Sequence, residues 1–186
     1  MHNDMNETEL AIKKMLTSFG EDPEREGLKK TPERARRAFD KIFAGYGKDP
    51  KEVVTTFEAE NYDEMIVMKD IEFYSTCEHH MLPFFGKAHI GYIPDGHIIG
   101  LSKIPRLVDI FARRLQNQER LTKQIADTLK ELLNPRGVGV VLEAQHLCVM
   151  ARGVEKQGAN VVTSAMVGLF KKNLNTRSEF LHLVTR

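Results

Sequence analysis

The chain has 186 residues, 41% of them hydrophobic and 28% charged, the balance of one soluble globular domain with a real core. A formal net charge of +1 excludes the strongly basic class and gives neither nucleic acid nor a membrane surface as main partner. Two cysteines exclude a disulfide scaffold. With a polar, acidic start and no apolar run near the roughly 20 residues that span a bilayer, the expected setting is the cytoplasm, where distant cysteines serve metal or redox chemistry more often than a structural bridge.

In chain order, Ile12, Met15, Leu16 and Phe19 follow helical spacing, with Gly20 as a stop. Thr31-Pro32 reads as an N-cap followed by proline at the first helical position. An apolar stripe from Ala35 to Phe43 ends at Gly45 and leaves Arg34 and Arg37 as i, i+3 neighbours. From Met65 the texture changes to short β-branched runs, MIVMKDIEFYS, GKAHIGYIP and HIIGLS, punctuated by Gly, Pro and Asp. Leu107, Val108, Phe111 and Leu115 mark one helix face, and Leu121, Ile125, Leu129 and Leu132 another after the polar break QNQER. Pro135-Arg136-Gly137 ends that stretch, and VGVVLEA, HLCVMA and ANVVTSAMVGLF read as strands. Strands on both sides of a helical insertion predict an α+β fold with a largely antiparallel sheet.

Cys77-x-x-His80 places a thiolate and an imidazole where one turn can aim both at one ion. Cys148, in the expected strand HLCVMA, supplies a third ligand, and three ligands leave a tetrahedral position open, the mark of a catalytic site. A closed structural site that also takes His79 or His146 is the alternative left open by spacing. In a strand, His146 and Cys148 project from one face. Imidazoles beside a metal-bound water suit hydrolysis, whereas His89 and His97 read as structural.

Gly100-Leu101-Ser102-Lys103-Ile104-Pro105-Arg106 joins a strand to a helix. Unpaired N–H groups, a hydroxyl, an ammonium and a guanidinium there would cradle phosphate; solvated side chains and a simple cap by Ser102 explain the segment equally well. Arg152 and Arg34 are further sources of positive charge. Gln118-Glu119 combines an amide and a carboxylate able to meet the donor edge of a guanine.

TPERARR, STCEHH, GKAHIGYIP, IGLSKIPRLVDIFARRLQNQERLT, AQHLCVMARGV and GLFKKNLNTRSEFL together resemble GTP cyclohydrolase I, in the family's order from about residue 31 onward. The resemblance implies the tunnelling fold, an antiparallel sheet with helices on one side, occupying residues 61–186 after a helical region over residues 1–60. It implies zinc held by Cys77, His80 and Cys148, and hydrolysis of GTP to 7,8-dihydroneopterin triphosphate and formate on the way to folate or other pterins. His79 and His146 would move protons. Glu119, with Gln118, would anchor guanine. Ser102, counted with the two histidines as catalytic, would join Lys103, Arg106 and Arg152 around the ribose and triphosphate, with Arg34 entering from a neighbouring subunit of a homodecamer. No nucleic acid or membrane partner is expected.

Overall fold

The computed structural model describes residues 6–185, in two compact units, Met1–Ala44 and Gly45–Arg186. The first holds helices α1 (Glu7–Ser18) and α2 (Thr31–Ile42). Asn6 caps α1 by accepting from the Glu9 N–H at 3.0 Å, and Gly20, at φ +89°, takes the left-handed conformation that ends a helix at little steric cost. Arg36 pairs with Glu9 at 2.8 Å and ties α2 to α1. Thr31 does not cap: α2 begins on it, and Lys30 occupies the cap position without a side-chain bond.

The second unit contains β1 (Thr56–Glu58), β2 (Ile66–Cys77), β3 (Pro83–Ile93), β4 (His97–Ile99), α3 (Lys103–Ala112), β5 (Leu115–Gln116), α4 (Gln118–Leu133), β6 (Gly137–His146), α5 (Leu147–Met150), β7 (Val161–Gly168), α6 (Leu169–Lys172) and α7 (Leu174–Val184). Five strands form a sheet in the order β5-β2-β3-β6-β7, while β1 and β4 pair separately. The four long strands are antiparallel to their neighbours, and only β5 runs parallel to β2, over two residues. This is the antiparallel α+β architecture expected from the strand–helix–strand order. Among the described residues no helix is long and apolar enough to cross a membrane.

Strand alternation divides the sheet into two apolar faces. Phe73, Phe84, Ile90, Tyr92, Val140 and Leu142 pack with the inward stripes of α3 and α4, among them Leu107, Leu121, Ile125 and Leu129. Burying each such side chain contributes about 1.5–3 kcal/mol before the entropy of ordering it. Helices α3 and α4 thus lie on one side, as expected; α6 and α7, the latter as long as α3, cover part of the other, which the expectation of helices on one side did not include. There Val141 meets Phe170, Phe180 and Val184. Gly91 and Gly139 are register partners between β3 and β6, and they leave room for the two rings. A Cβ on Gly139 would stand 2.5 Å from a Phe170 ring carbon.

Further details differ from the sequence reading, among them Leu169 and Phe170 of the expected strand ANVVTSAMVGLF, which begin α6. Leu115 lies in β5, beyond the end of α3. Leu174–Val184 forms a further helix. HLCVMA is not a strand: β6 stops at His146 and a helical turn follows. The cause is local. His146 pairs with Phe84 in the last rung of the β3–β6 ladder, and the next residue of β3 is Pro83, which has no N–H to continue it.

The registers also fix which residues share an end of the sheet. Cys77 follows the Thr76–Pro83 rung, and His146 sits opposite Phe84, so both lie where β3 begins. The Tyr92 hydroxyl accepts from the Ile99 N–H at 3.1 Å, which puts β4 and the following Gly100 where β3 ends. Eight residues of strand, about 27 Å, separate Phe84 from Tyr92.

Candidate metal centre

The turn between β2 and β3 is tight: the Cys77 N–H donates to Leu82 O and the Met81 N–H to Cys77 O, both at 2.8 Å, with Met81 at φ +54°. It turns the Cys77 thiol and the His80 imidazole toward each other, Sγ and Nδ1 3.9 Å apart. The helical turn after β6 brings Cys148 to the same place. One ligand atom from each of Cys77, His80 and Cys148 lies within 4.8 Å of the others. Metal–sulfur bonds of about 2.3 Å and metal–nitrogen bonds of about 2.0–2.1 Å set tetrahedral ligand atoms about 3.5–3.8 Å apart. The cluster is close to that spacing, and its soft, mixed donors fit a divalent transition ion. Cys77 is buried and His80 exposed, so the group opens toward one side. Burial, and then the neighbouring Cys77 thiol, push the Cys148 thiol above its ordinary range, a strain that a cation between the sulfurs would reverse.

His79 and His146 stand beside this cluster without belonging to it. His79 Nδ1 is 3.9 Å from the Cys77 sulfur. His146 instead bonds through Nε2 to Gln118 Oε1 at 2.8 Å, and its ring lies flat on Phe84. This arrangement favours three protein ligands and an open position over a closed site using His146. Burial holds the His146 imidazole below its ordinary range, and the Glu119 carboxylate acts against that shift, which places Glu119 within electrostatic reach. Glu119 lines a groove of about 560 Å³ between α4 and the edge strand β7, with Thr163, Ser164 and Lys171 on its walls. Arg152, just past the turn that carries Cys148, lowers that thiol in opposition to burial and so belongs to this end too.

Gln118 is almost completely buried, and its carboxamide is taken up by protein groups. Ser102, Lys103 and Arg106 are elsewhere. They begin α3, just after Gly100, at the end of the sheet away from Cys77. α3 then runs ten residues, about 15 Å, before β5 pairs with Cys77. Ser102 makes no capping bond, so its hydroxyl is not spent on the helix, while Arg106 lines a separate cavity with Lys48, Asp109 and Arg113. Arg34 lies in the N-terminal unit.

Sequence reasoning missed the supports of the metal turn. Glu78, between the two candidate ligands of C-x-x-H, accepts from Asn117 Nδ2 at 3.2 Å and forms an ion pair with Arg120. Arg120 holds the Glu78 carboxyl below the usual carboxylate range, aided by Asn117 and His79. Asn117 also caps α4 by accepting from the Arg120 N–H at 2.8 Å. A signal existed: asparagine directly before an apolar-periodic run is an N-cap, and a charged residue enclosed by metal ligands needs a partner.

An antiparallel α+β sheet carrying a Cys–His–Cys group with two further imidazoles at its margin defines an enzyme with a candidate catalytic metal centre. The chain belongs to the GTP cyclohydrolase I family, whose model matches residues 8–185. Among curated relatives, GTP cyclohydrolase 1 of Chlorobaculum tepidum is 58% identical over 94% of this chain and 78% of its own length. The protein of that name from Leptospira biflexa is 57% identical over 93% and 95%, and that from Thermobifida fusca 55% identical over 97% and 88%.

Proposed function

We propose that the chain hydrolyses GTP to 7,8-dihydroneopterin triphosphate and formate by opening the guanine imidazole ring, and that this feeds tetrahydrofolate or other pterin synthesis in the cytoplasm. The observation that carries this reading is the convergence of Cys77, His80 and Cys148 with His79 and His146 alongside, in a chain of this family. Zinc is the ion that best suits two thiolates and one imidazole, and bound there it would supply an activated water. The chain's own residues do the rest. Glu119 accepts from the donor edge of guanine, His79 and His146 give and take protons during ring opening, and Arg152 meets the anionic tail.

The triphosphate needs more positive charge than this end of the sheet offers. Ser102, Lys103 and Arg106 provide it through their side chains at the start of α3. The Lys103 and Ile104 N–H groups there already donate to Gly100 O and Leu101 O and Pro105 has none, so the expected cradle of unpaired N–H groups is absent. These residues, however, lie at the far end of the same sheet. Their separation supports a homo-oligomer in which the cradle of one copy faces the metal cluster of the next, with Arg34 contributed from a neighbour. The edge of β7, unpaired among the described residues, supports association along the sheet, in a closed ring such as a decamer.

The test is incubation of purified protein with GTP, with and without a chelator. Formate and a pterin that fluoresces after oxidation are expected only when metal is present. If zinc-loaded protein produces neither, the assignment fails.

A further inference from the structure

The carboxamide of Gln118 lies at the centre of a hydrogen-bond circuit whose partners assign its nitrogen and oxygen. Its nitrogen has three oxygens around it: Leu142 O at 3.1 Å, Val161 O at 3.0 Å and Thr163 Oγ1 at 3.1 Å. Only an NH2 group satisfies such surroundings, so the opposite end of the amide is the carbonyl. The Thr122 hydroxyl donates to the backbone carbonyl of Gln118 at 2.7 Å. Its oxygen is 2.6 Å from the Thr163 hydroxyl, which must therefore donate to it, leaving Thr163 free to accept from the amide. The ring closes on itself. What remains is the Gln118 carbonyl oxygen, 2.8 Å from His146 Nε2. A carbonyl can only accept, so Nε2 carries the hydrogen.

We propose that Gln118 is a positioning residue that fixes the tautomer of His146, with hydrogen on Nε2 and the lone pair on Nδ1. It rests on the proposed function in one respect, that His146 moves protons in the reaction. The nitrogen able to take up a proton from the reacting groups is then Nδ1. On receiving it the ring becomes an imidazolium that keeps its Nε2–H bond to Gln118, and it returns the same proton without turning. Phe84, stacked on the ring with centroids 4.6 Å apart, restricts the remaining tilt. Gln118 thus serves the chemistry from behind the histidine, and Glu119 alone of the pair is left for guanine.

The direct test is NMR of metal-loaded protein with 15N-labelled histidine rings, the His146 signals being identified by their loss in His146→Gln. The expected long-range couplings are those of an Nε2–H tautomer; an Nδ1–H tautomer overturns the proposal. Gln118→Met keeps the volume and removes the acceptor. It should lower kcat about 10–100-fold, as loss of an orienting partner does, with KM for GTP changed by less than about threefold and metal content unchanged. A raised KM at normal kcat would instead return Gln118 to the guanine. Should Gln118→Met not fold, Thr163→Val opens the circuit at a distance and should lower kcat in the same way by a smaller factor; unchanged kcat there overturns the proposal. The tautomer is read without GTP, so absent turnover with Nε2–H intact counts against the proposed reaction and not against this assignment.

Discussion

The ring of Phe84 lies against the imidazole of His146 with centroids 4.6 Å apart and planes only 2° from parallel. The two are also the last rung of the β3–β6 ladder, so strand register sets the stack. Phe84→Leu retains most of the apolar volume but not the flat face. It should cost about 1–2 kcal/mol of stability, measured by urea denaturation, and reduce kcat by a larger factor than it changes KM for GTP. Equal effects on both constants would mean that the ring only fills space.

Cys148 and His146 are two residues apart yet have different surroundings, and their variants should separate. Cys148→Ser removes one of the three candidate ligands, and the protein should lose metal binding and turnover together. His146→Ala should keep about one metal per chain, measured by elemental analysis, and a normal melting temperature while losing activity. Loss of metal in His146→Ala would indicate a closed, structural site.

How far these features were legible in the sequence depends on the range of the signal. Cys77 and His80 are three residues apart, and a turn suffices to join them. Cys148 was assignable as a ligand, but for a reason the structure replaces: it reaches the cluster from a helical turn, because Pro83 ends the ladder that HLCVMA would otherwise extend. A short apolar run cannot by itself distinguish the two conformations. The position of Ser102, Lys103 and Arg106 was not legible at all. Their chemistry is local, but their distance from Cys77 depends on strand register, which no short stretch of sequence encodes. Gln118 read as a guanine contact beside Glu119, because a dipeptide does not show that Leu142, Val161 and Thr163 surround its carboxamide.

The second apolar face depends on two positions without side chains. A Cβ on Gly139 would meet ring carbons of Phe170 at 2.5 Å and Phe180 at 2.8 Å, well inside the contact distance of about 3.5–4.0 Å. Both rings are fully buried and have no space to retreat into. Gly139→Ala should therefore destabilise the fold by about 1–3 kcal/mol through overpacking. Gly158→Ala, where nothing lies within 4 Å, is the control and should leave the melting temperature unchanged.

His89 should make stability fall in mild acid. Its Nδ1 accepts from the Asp70 N–H at 3.2 Å, at a bulge of β2 where Asp70 takes φ +60°. Burial holds the imidazole below 6.5; Asp70 and Glu143 oppose this, and Lys69 and Lys87 reinforce it. Between the lowered folded value and 6.5 the unfolded chain binds more protons than the folded one, so stability rises with pH across that window. The contribution is complete above 6.5 and is lost as pH falls through the folded value. Urea midpoints at about pH 7.5 and about pH 5.5 should differ less in His89→Gln than in the unaltered chain, since the variant keeps an acceptor but no titrating ring. An equal difference in both would assign the acid loss to other groups.

If metal cluster and phosphate cradle meet only between copies, two inactive variants should repair each other. Lys103→Ala retains Cys77, His80, Cys148 and His146 but has a damaged cradle; His146→Ala has the converse. Each alone should release little formate from GTP. Co-expressed with distinct tags and purified as mixed oligomers, they can assemble sites that take the intact cluster from one chain and the intact cradle from the other. Random assortment of equal amounts in a closed ring makes about one site in four complete, so formate release should recover to about that fraction. Mixing after purification, without subunit exchange, should restore nothing. Recovery absent from verified mixed oligomers would mean that both halves act within one chain, which the opposite positions of Gly100 and Cys77 along β3 make hard to achieve without refolding the sheet.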